Sequence, residues 1–253
     1  MDVPADLYDA LGAAAGTPRL LVTSDYDGTL APLVSDPSAA FPHPEAVALF
    51  TALAALPQTS TALISGRSRA DLAALSGMPP QIHLVGSHGA EFDTGFARPL
   101  DDDALALREQ VLAELRRLTD GVDGVGMETK PASIAVHVRN ASAAIGERTL
   151  ATVREGPAHW AGVQVTEGKA VIELAVIDTD KGSAIELLRQ QTDASAVLFF
   201  GDDVTDEKAF RRLGAADVGV KVGEGATAAE FRVSTTDDVI AALRLLLEQR
   251  RGP

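Results

Sequence analysis

Short apolar runs that end abruptly in polar clusters recur along the chain. Leu20-Leu21-Val22 leads into Thr23-Ser24-Asp25-Tyr26-Asp27-Gly28-Thr29-Leu30, and Ser60–Ile64 leads into Ser65-Gly66-Arg67-Ser68. Ile82–Val85 stops at Gly86-Ser87-His88-Gly89, and Ala196–Phe200 stops at Gly201-Asp202-Asp203-Val204-Thr205-Asp206-Glu207. Continuous apolar runs this short predict strands buried on both faces, as in a parallel sheet. Helical spacing fills the intervals. Ala46, Val47, Leu49, Phe50, Leu53 and Leu56 predict a helix over 44–56, with Pro44 near its start and Pro57 beyond its end. Further helices are predicted over Arg69–Leu75 and Lys181–Gln191, and over Asp237–Arg250 through Val239, Ile240, Leu243, Leu246 and Leu247. Strand and helix in this alternation predict a doubly wound α/β fold around a parallel sheet.

The rhythm changes near residue 100. Asp101-Asp102-Asp103 offers an N-cap for a helix across Ala104–Leu118. Two alternating segments follow, Val122–Thr129 and Ser133–Arg139, split by Lys130-Pro131. In the second, Ile134, Val136 and Val138 alternate with Ala135, His137 and Arg139, the pattern of a half-exposed antiparallel strand. A helix over Ala143–Glu155 and strands near Val163–Thr166 and Ala170–Leu174 complete the block. Residues 101–177 therefore read as an α+β insert, and 1–100 with 178–253 as one discontinuous core domain. Insertion at a surface loop near the ligand end of a sheet is topologically cheap and suits an enzyme that closes over its substrate.

Composition narrows the field. With 253 residues, 46% hydrophobic and 23% charged, the chain is ordinary for a globular protein of one large or two modest domains. The net charge of −14 argues against non-specific binding to nucleic acid or a membrane surface. It also requires a local basic cluster wherever an anionic substrate binds. The absence of cysteine excludes disulfides and thiolate chemistry. The amino terminus lacks the features of a signal peptide and no stretch has the length of a membrane span, so the expectation is a cytoplasmic protein, monomeric by default.

The strand ends carry the candidate chemistry. Residues i and i+2 of a strand share a face, so Asp25 and Asp27 are expected together at a carboxyl end, where open α/β sheets place ligands. An EF-hand reading fails, because Thr-Leu-Ala-Pro-Leu follows where further ligands are needed. Asp25 is the candidate nucleophile and Asp27 the candidate general acid, and their proximity is expected to raise the pKa of one of them. Asp202 is the candidate carboxylate for Mg²⁺, a cation that favours hard oxygens, with Asp203 or Asp206 behind it. Ser65, with the turn at Gly66-Arg67, suits phosphate oxygens.

Asp25-Tyr26-Asp27-Gly28-Thr29, Ser65, Lys181 and Gly201-Asp202-Asp203 resemble, in that order, the four motifs of the haloacid dehalogenase superfamily of aspartate-nucleophile phosphatases. The resemblance implies a Rossmann-like core with an α/β cap inserted between the second and third motifs. It implies that Ser65 and Lys181 act with the two aspartates. It also implies metal ligation by Asp25, by Asp202 and through the backbone carbonyl of Asp27.

The insert resembles a narrower group. Glu128-Thr129-Lys130-Pro131-Ala132-Ser133-Ile134-Ala135-Val136-His137-Val138-Arg139 and Glu167-Gly168-Lys169-Ala170-Val171-Ile172-Glu173-Leu174 look like the cap signatures of the trehalose-6-phosphate phosphatase family. Gly86-Ser87-His88-Gly89-Ala90-Glu91 fits as well, although Asn is commoner at the place of Ser87. This resemblance runs from about residue 20 to 245. It implies hydrolysis of trehalose 6-phosphate, with sugar contacts from Glu128, Lys130, His137, Arg139, Lys169 and Glu173. Arg67 and His88 are candidates for phosphate or sugar, and Trp160 for packing in the insert. By residue type alone, the same polar positions could form a solvated sheet face with cross-strand ion pairs. Another sugar phosphate on the same scaffold, such as sucrose-phosphate or a mannosyl phosphate, remains an alternative, as does a non-catalytic binding domain.

Overall fold

The structure, a computed structural model, describes residues 3–34, 36–97, 100–168 and 170–252. In chain order the elements begin α1 (Ala5–Ala15), β1 (Leu20–Ser24), α2 (Ala46–Ala54), β2 (Thr59–Ile64), α3 (Arg69–Ser76), β3 (His83–Val85), β4 (Glu91–Phe92) and β5 (Gly95–Phe96). Then come α4 (Asp102–Thr119), β6 (Gly126–Thr129), β7 (Ser133–His137), α5 (Ala143–Glu155), β8 (Gln164–Gly168) and β9 (Val171–Ala175). The chain closes with α6 (Lys181–Thr192), β10 (Ala196–Gly201), α7 (Glu207–Phe210), β11 (Val218–Val222), β12 (Phe231–Val233) and α8 (Thr236–Arg251). None of the described helices is long and apolar enough to cross a membrane. Two compact units result, Met1–Thr94 with Asp180–Pro253, and Gly95–Thr179.

The first unit is a six-stranded sheet in the order β12-β11-β10-β1-β2-β3. All five pairings are parallel. Every residue of β1 and β10 is buried, as their unbroken apolar runs predict. Leu20, Val22, Leu198 and Phe200 pack with Leu7 and Leu11 of α1 and with Leu243 and Leu246 of α8. Phe199 turns the other way and meets Phe210, their ring centroids 5.3 Å apart. From β1 the chain proceeds outward to β2 and β3, and then returns to build β10, β11 and β12 on the other side. The order therefore reverses between β1 and β10, and the crevice at their carboxyl ends is where such sheets bind ligands. Asp25 follows β1 and Asp202 follows β10.

The second unit is a four-stranded antiparallel sheet, β6-β7-β9-β8. One face carries Ile134, Val136, Ile172 and Leu174, which pack with Val111, Leu112 and Leu115 of α4 and Val153 of α5. Register places Glu128 opposite Ala135, and Ala135 opposite Glu173, on the other face. Asp101 caps α4 through the backbone N–H of Ala104 at 2.8 Å.

Two expectations for this unit need correction. The strand predicted from Val122 starts only at Gly126. Asp123-Gly124 turns instead, with Gly124 at φ +71° and its α-carbon pressed so close to Ala141 that a side chain would lie 2.5 Å from the Ala141 Cα. The strand predicted over Ser133–Arg139 ends at His137, and Ser133 and Ala135 on its polar face are buried rather than half exposed.

Candidate active site

Asp25 lies one residue past β1, tied to the sheet by its N–H, which donates to the Phe200 carbonyl at 2.8 Å. Its carboxylate is buried and contacts the Lys181 ammonium at 2.7 Å. Lys181 is the first residue of α6, and a reciprocal cap fixes that turn. The Asp180 side chain accepts from Ser183 N–H at 2.7 Å, and the Ser183 hydroxyl bonds back to the Asp180 N–H at 3.0 Å. Asp206, fully buried, holds the same ammonium at 2.7 Å and accepts from the Asp203 N–H at 2.9 Å. Burial alone would lower the Lys181 pKa, but the charges of Asp206 and Asp25 outweigh it and raise it. The lysine is a permanent cation here.

Carboxylate oxygens of Asp25, Asp202 and Asp206 lie within 4.8 Å of one another. The Thr29 hydroxyl donates to Asp202 at 3.2 Å, and Lys221 reaches the Asp202 carbonyl. Gly28, at φ +83°, leaves room for the Asp202 carboxylate where any side chain would collide with it. Burial, followed by the charge of Asp206, pushes the Asp202 carboxyl up to about 6. Asp25 is also raised, first by burial, against the opposing pull of Lys181 and with further repulsion from Asp206 and Asp202. Three carboxylates crowd one lysine in a poorly solvated place, all of them hard oxygen donors. That donor set fits a divalent cation of the magnesium kind.

Asp27 departs from the pairing expected for it. β1 ends at Ser24, and a tight turn follows in which the Gly28 N–H donates to Ala31 at 2.7 Å and the Leu30 N–H to Tyr26 at 2.9 Å. The Asp27 carboxylate accepts both donors of the Arg67 fork, Nε at 2.7 Å and Nη2 at 2.6 Å. Arg67 also donates to the Pro37 carbonyl at 2.9 Å and lies 5.8 Å from the Tyr26 ring centroid. The charges that repel the Asp25 carboxylate are those of Asp206 and Asp202. Strand periodicity could not foresee this, because it stops applying where the strand stops.

The Ser65 hydroxyl accepts from the Arg67 N–H at 3.1 Å, which leaves its own proton to donate. The neighbouring turn is strained: Ser87 and His88 sit at φ +49° and +53°. Their N–H groups donate to the Arg67 and Ser65 carbonyls at 2.7 and 2.9 Å, and the Ser87 hydroxyl donates to Glu91 at 2.5 Å. The His88 ring occupies the space beside Gly66 where a side chain would otherwise stand. Ser65, Gly66, Arg67 and His88 are thus built as one piece.

In the second unit the Lys130 ammonium and the Ser133 hydroxyl each donate to one oxygen of Glu173, both at 2.6 Å. Glu128 and the His137 Nε2 are 3.0 Å apart. Burial pushes the Glu128 carboxyl up, but the His137 hydrogen bond and the Lys130 charge outweigh it and hold it below its ordinary value. Arg139 is exposed just beyond β7, and Lys169 lies outside the described residues. Glu167 pairs with Arg154 at 2.7 Å, and Trp160 packs half-buried against the core of the unit.

Several residues of these clusters were not singled out from the sequence. Lys221 was legible as the one charge in Val218-Gly219-Val220-Lys221-Val222, a strand ending beside β10. Glu207, which the sequence showed only as the end of the acidic run after β10, is buried, with one oxygen accepting from the Ala228 N–H at 2.8 Å. Arg108, whose fork donates to the Lys130 carbonyl at 3.1 and 3.0 Å, gave no signal beyond its place on a helix.

A sequence profile described as trehalose-phosphatase matches residues 23–241. A trehalose-phosphate phosphatase of Mycobacterium marinum is 38% identical over 248 residues, covering 91% of this chain and 62% of that protein. A bifunctional trehalose-6-phosphate synthase/phosphatase of Thermoproteus tenax is 34% identical over 240 residues, covering 93% of this chain and 32% of that protein. The chain thus spans 62% and 32% of the lengths of these two relatives. Among solved structures, the C-terminal domain of a C. albicans trehalose-6-phosphate phosphatase superposes with a TM-score of 0.83 at 24% identity, over 98% of both chains. A trehalose-6-phosphate phosphatase related protein superposes at 0.76 with 25% identity, over 90% of this chain and 97% of that one.

Proposed function

The chain belongs to the trehalose-phosphatase family, and from that premise we propose that it hydrolyses trehalose 6-phosphate to trehalose and inorganic phosphate. The observation that carries this reading is the buried cluster of Asp25, Lys181, Asp206 and Asp202 at the sheet's reversal point. The family implies a divalent metal, and Mg²⁺ is the proposed ion, held by Asp25, by Asp202 and by the carbonyl of Asp27. Held there, such an ion would supply positive charge to offset the negative charge that gathers during phosphoryl transfer.

Asp25 attacks phosphorus as a carboxylate. The O–P bond to Asp25 forms as the bond to O6 of the sugar breaks, giving an aspartyl-phosphate. Asp27 gives its proton to the departing O6 and then takes one from the water that hydrolyses the aspartyl-phosphate. Lys181, the Ser65 hydroxyl and the backbone N–H groups around it stabilise the transferring phosphoryl. Arg67 and His88 are proposed phosphate or sugar contacts. Because Arg67 occupies both oxygens of Asp27, one of them must be released before Asp27 can carry a proton. A phosphate dianion near Ser65 offers the guanidinium a competing partner of equal geometry.

Substrate identity is assigned to the polar face of the second unit. Glu128, Lys130, His137, Arg139, Lys169 and Glu173 supply the acceptors and donors that the hydroxyls of a disaccharide need. A panel of trehalose 6-phosphate, sucrose 6-phosphate and glucose 6-phosphate, read as phosphate release, tests the assignment. Preference for trehalose 6-phosphate that collapses in Glu173→Ala is expected. Equal rates across the panel in the native protein would rule out a sugar-reading face.

A further inference from the structure

The polar face of the second unit contains a group with no assigned part. Ser133 opens β7 and is 1% exposed. Its hydroxyl donates to one oxygen of Glu173 at 2.6 Å while the Lys130 ammonium takes the other at 2.6 Å. The two donors come from opposite sides of the turn between β6 and β7. The turn is itself closed by the Lys130 N–H, which donates to the Ser133 carbonyl at 2.9 Å. Arg108 on α4 clamps it from outside through the Lys130 carbonyl. Glu173 lies across from Ala135, whose methyl group can neither push the carboxylate aside nor offer it a hydrogen bond.

Glutamate has three rotatable side-chain bonds, and an ammonium holds it only as a point charge. A second, directional donor on the other oxygen fixes the plane of the carboxylate. The carboxylate is then held in one orientation. A carboxylate fixed in this way can tell one arrangement of sugar hydroxyls from another, whereas a swivelling one cannot.

Resting on the proposed sugar-reading role of Glu173, we infer that Ser133 is a positioning residue for substrate specificity: its buried hydroxyl orients the Glu173 carboxylate that receives the disaccharide. It acts through Glu173, without contact to the reacting phosphorus.

The test compares native protein, Ser133→Ala, Ser133→Thr and Glu173→Gln on trehalose 6-phosphate and on p-nitrophenyl phosphate, with Mg²⁺ present. The quantity read is the ratio of kcat/KM for the sugar ester to that for the aryl ester, together with Tm. Ser133→Ala is expected to lower the ratio about tenfold, mainly through KM for the sugar ester, the size set by one lost hydrogen bond to a charged group. Ser133→Thr keeps the hydroxyl on a residue suited to strands and should restore most of the ratio. A native ratio in Ser133→Ala, with Glu173→Gln lowered, overturns the positioning role and leaves the sugar-reading role of Glu173 standing. A native ratio in Glu173→Gln overturns the sugar-reading role itself. Equal losses on both esters with a lowered Tm in Ser133→Ala would make the hydroxyl a packing element and also overturn the inference.

Discussion

At the scale of single residues the site is a problem of crowded charge. Asp202 sits at about 6 because burial and Asp206 penalise its ionised form. A carboxyl raised in the folded state withdraws stability as pH climbs from its unfolded value, near 4, to about 6, and the loss is then complete. Without metal, Asp202→Asn is therefore expected to melt higher than the native protein, by a margin that grows over that interval. Thermal melts in EDTA at a series of pH values measure it, and a margin that shrinks with rising pH would contradict the assignment. Asp25→Asn follows the same logic: activity is lost while Tm rises, because Asp206 remains to hold Lys181. At Arg67, replacement by Ala should lower kcat on a sugar phosphate as well as raise KM, since it removes the group that places Asp27. Steady-state kinetics showing a pure KM effect would reduce Arg67 to a phosphate contact. The identities of Asp25, Asp27, Asp202 and Lys181 as candidates were legible from short motifs. Their partners were not, since the Arg67 fork on Asp27 depends on a turn that no periodicity describes.

At the scale of elements, caps and tight turns place the functional side chains. The Asp180–Ser183 cap sets Lys181 on the first turn of α6, and a like pair, Thr235 with Asp238, opens α8. Thr235→Ala should cost about 1 kcal/mol, visible as a Tm lowered by a few degrees. No change in melting would mean that α8 is held by its apolar face alone. Gly66→Ala tests the phosphate turn. Its methyl group would lie 2.5 Å from His88 Cε1, and the ring must yield. KM for a phosphate ester should rise severalfold with Tm nearly unchanged, whereas native kinetics would remove His88 from the site. The strands β1, β2, β10 and the helices α4, α5, α6 and α8 were readable from apolar spacing. α1, β4, β5, α7, β11 and β12 were not anticipated, and the apolar run of β11 is broken by Gly219 and Lys221. An Ala-rich helix gives a weak period, and a three-residue edge strand such as Phe231–Val233 is too short to carry one. In the second unit, residue type alone left Glu173 open to a solvated face, because alternation reports which face a residue lies on, not what covers it.

At the scale of the whole molecule, the chain divides its work between two units, each with its own sheet and core. On the proposed reading, phosphoryl transfer belongs to the parallel unit and the choice of sugar to the antiparallel one. The net charge of −14 opposes the approach of a phosphate ester. At saturating metal, kcat/KM should therefore hold or rise as salt increases from low ionic strength, because screening weakens repulsion that acts over roughly 10 Å. A steep fall would point to long-range attraction that the sequence does not provide. On the proposed function, Asp25 dephosphorylates trehalose 6-phosphate from within a metal-loaded acid cluster. The most direct measurement is the release of inorganic phosphate from trehalose 6-phosphate by the native protein with Mg²⁺, by the same protein in excess EDTA, and by Asp25→Asn with Mg²⁺. Release is expected in the first case alone. Equal release in EDTA or from Asp25→Asn, or none from the native protein at any Mg²⁺ concentration, would contradict it.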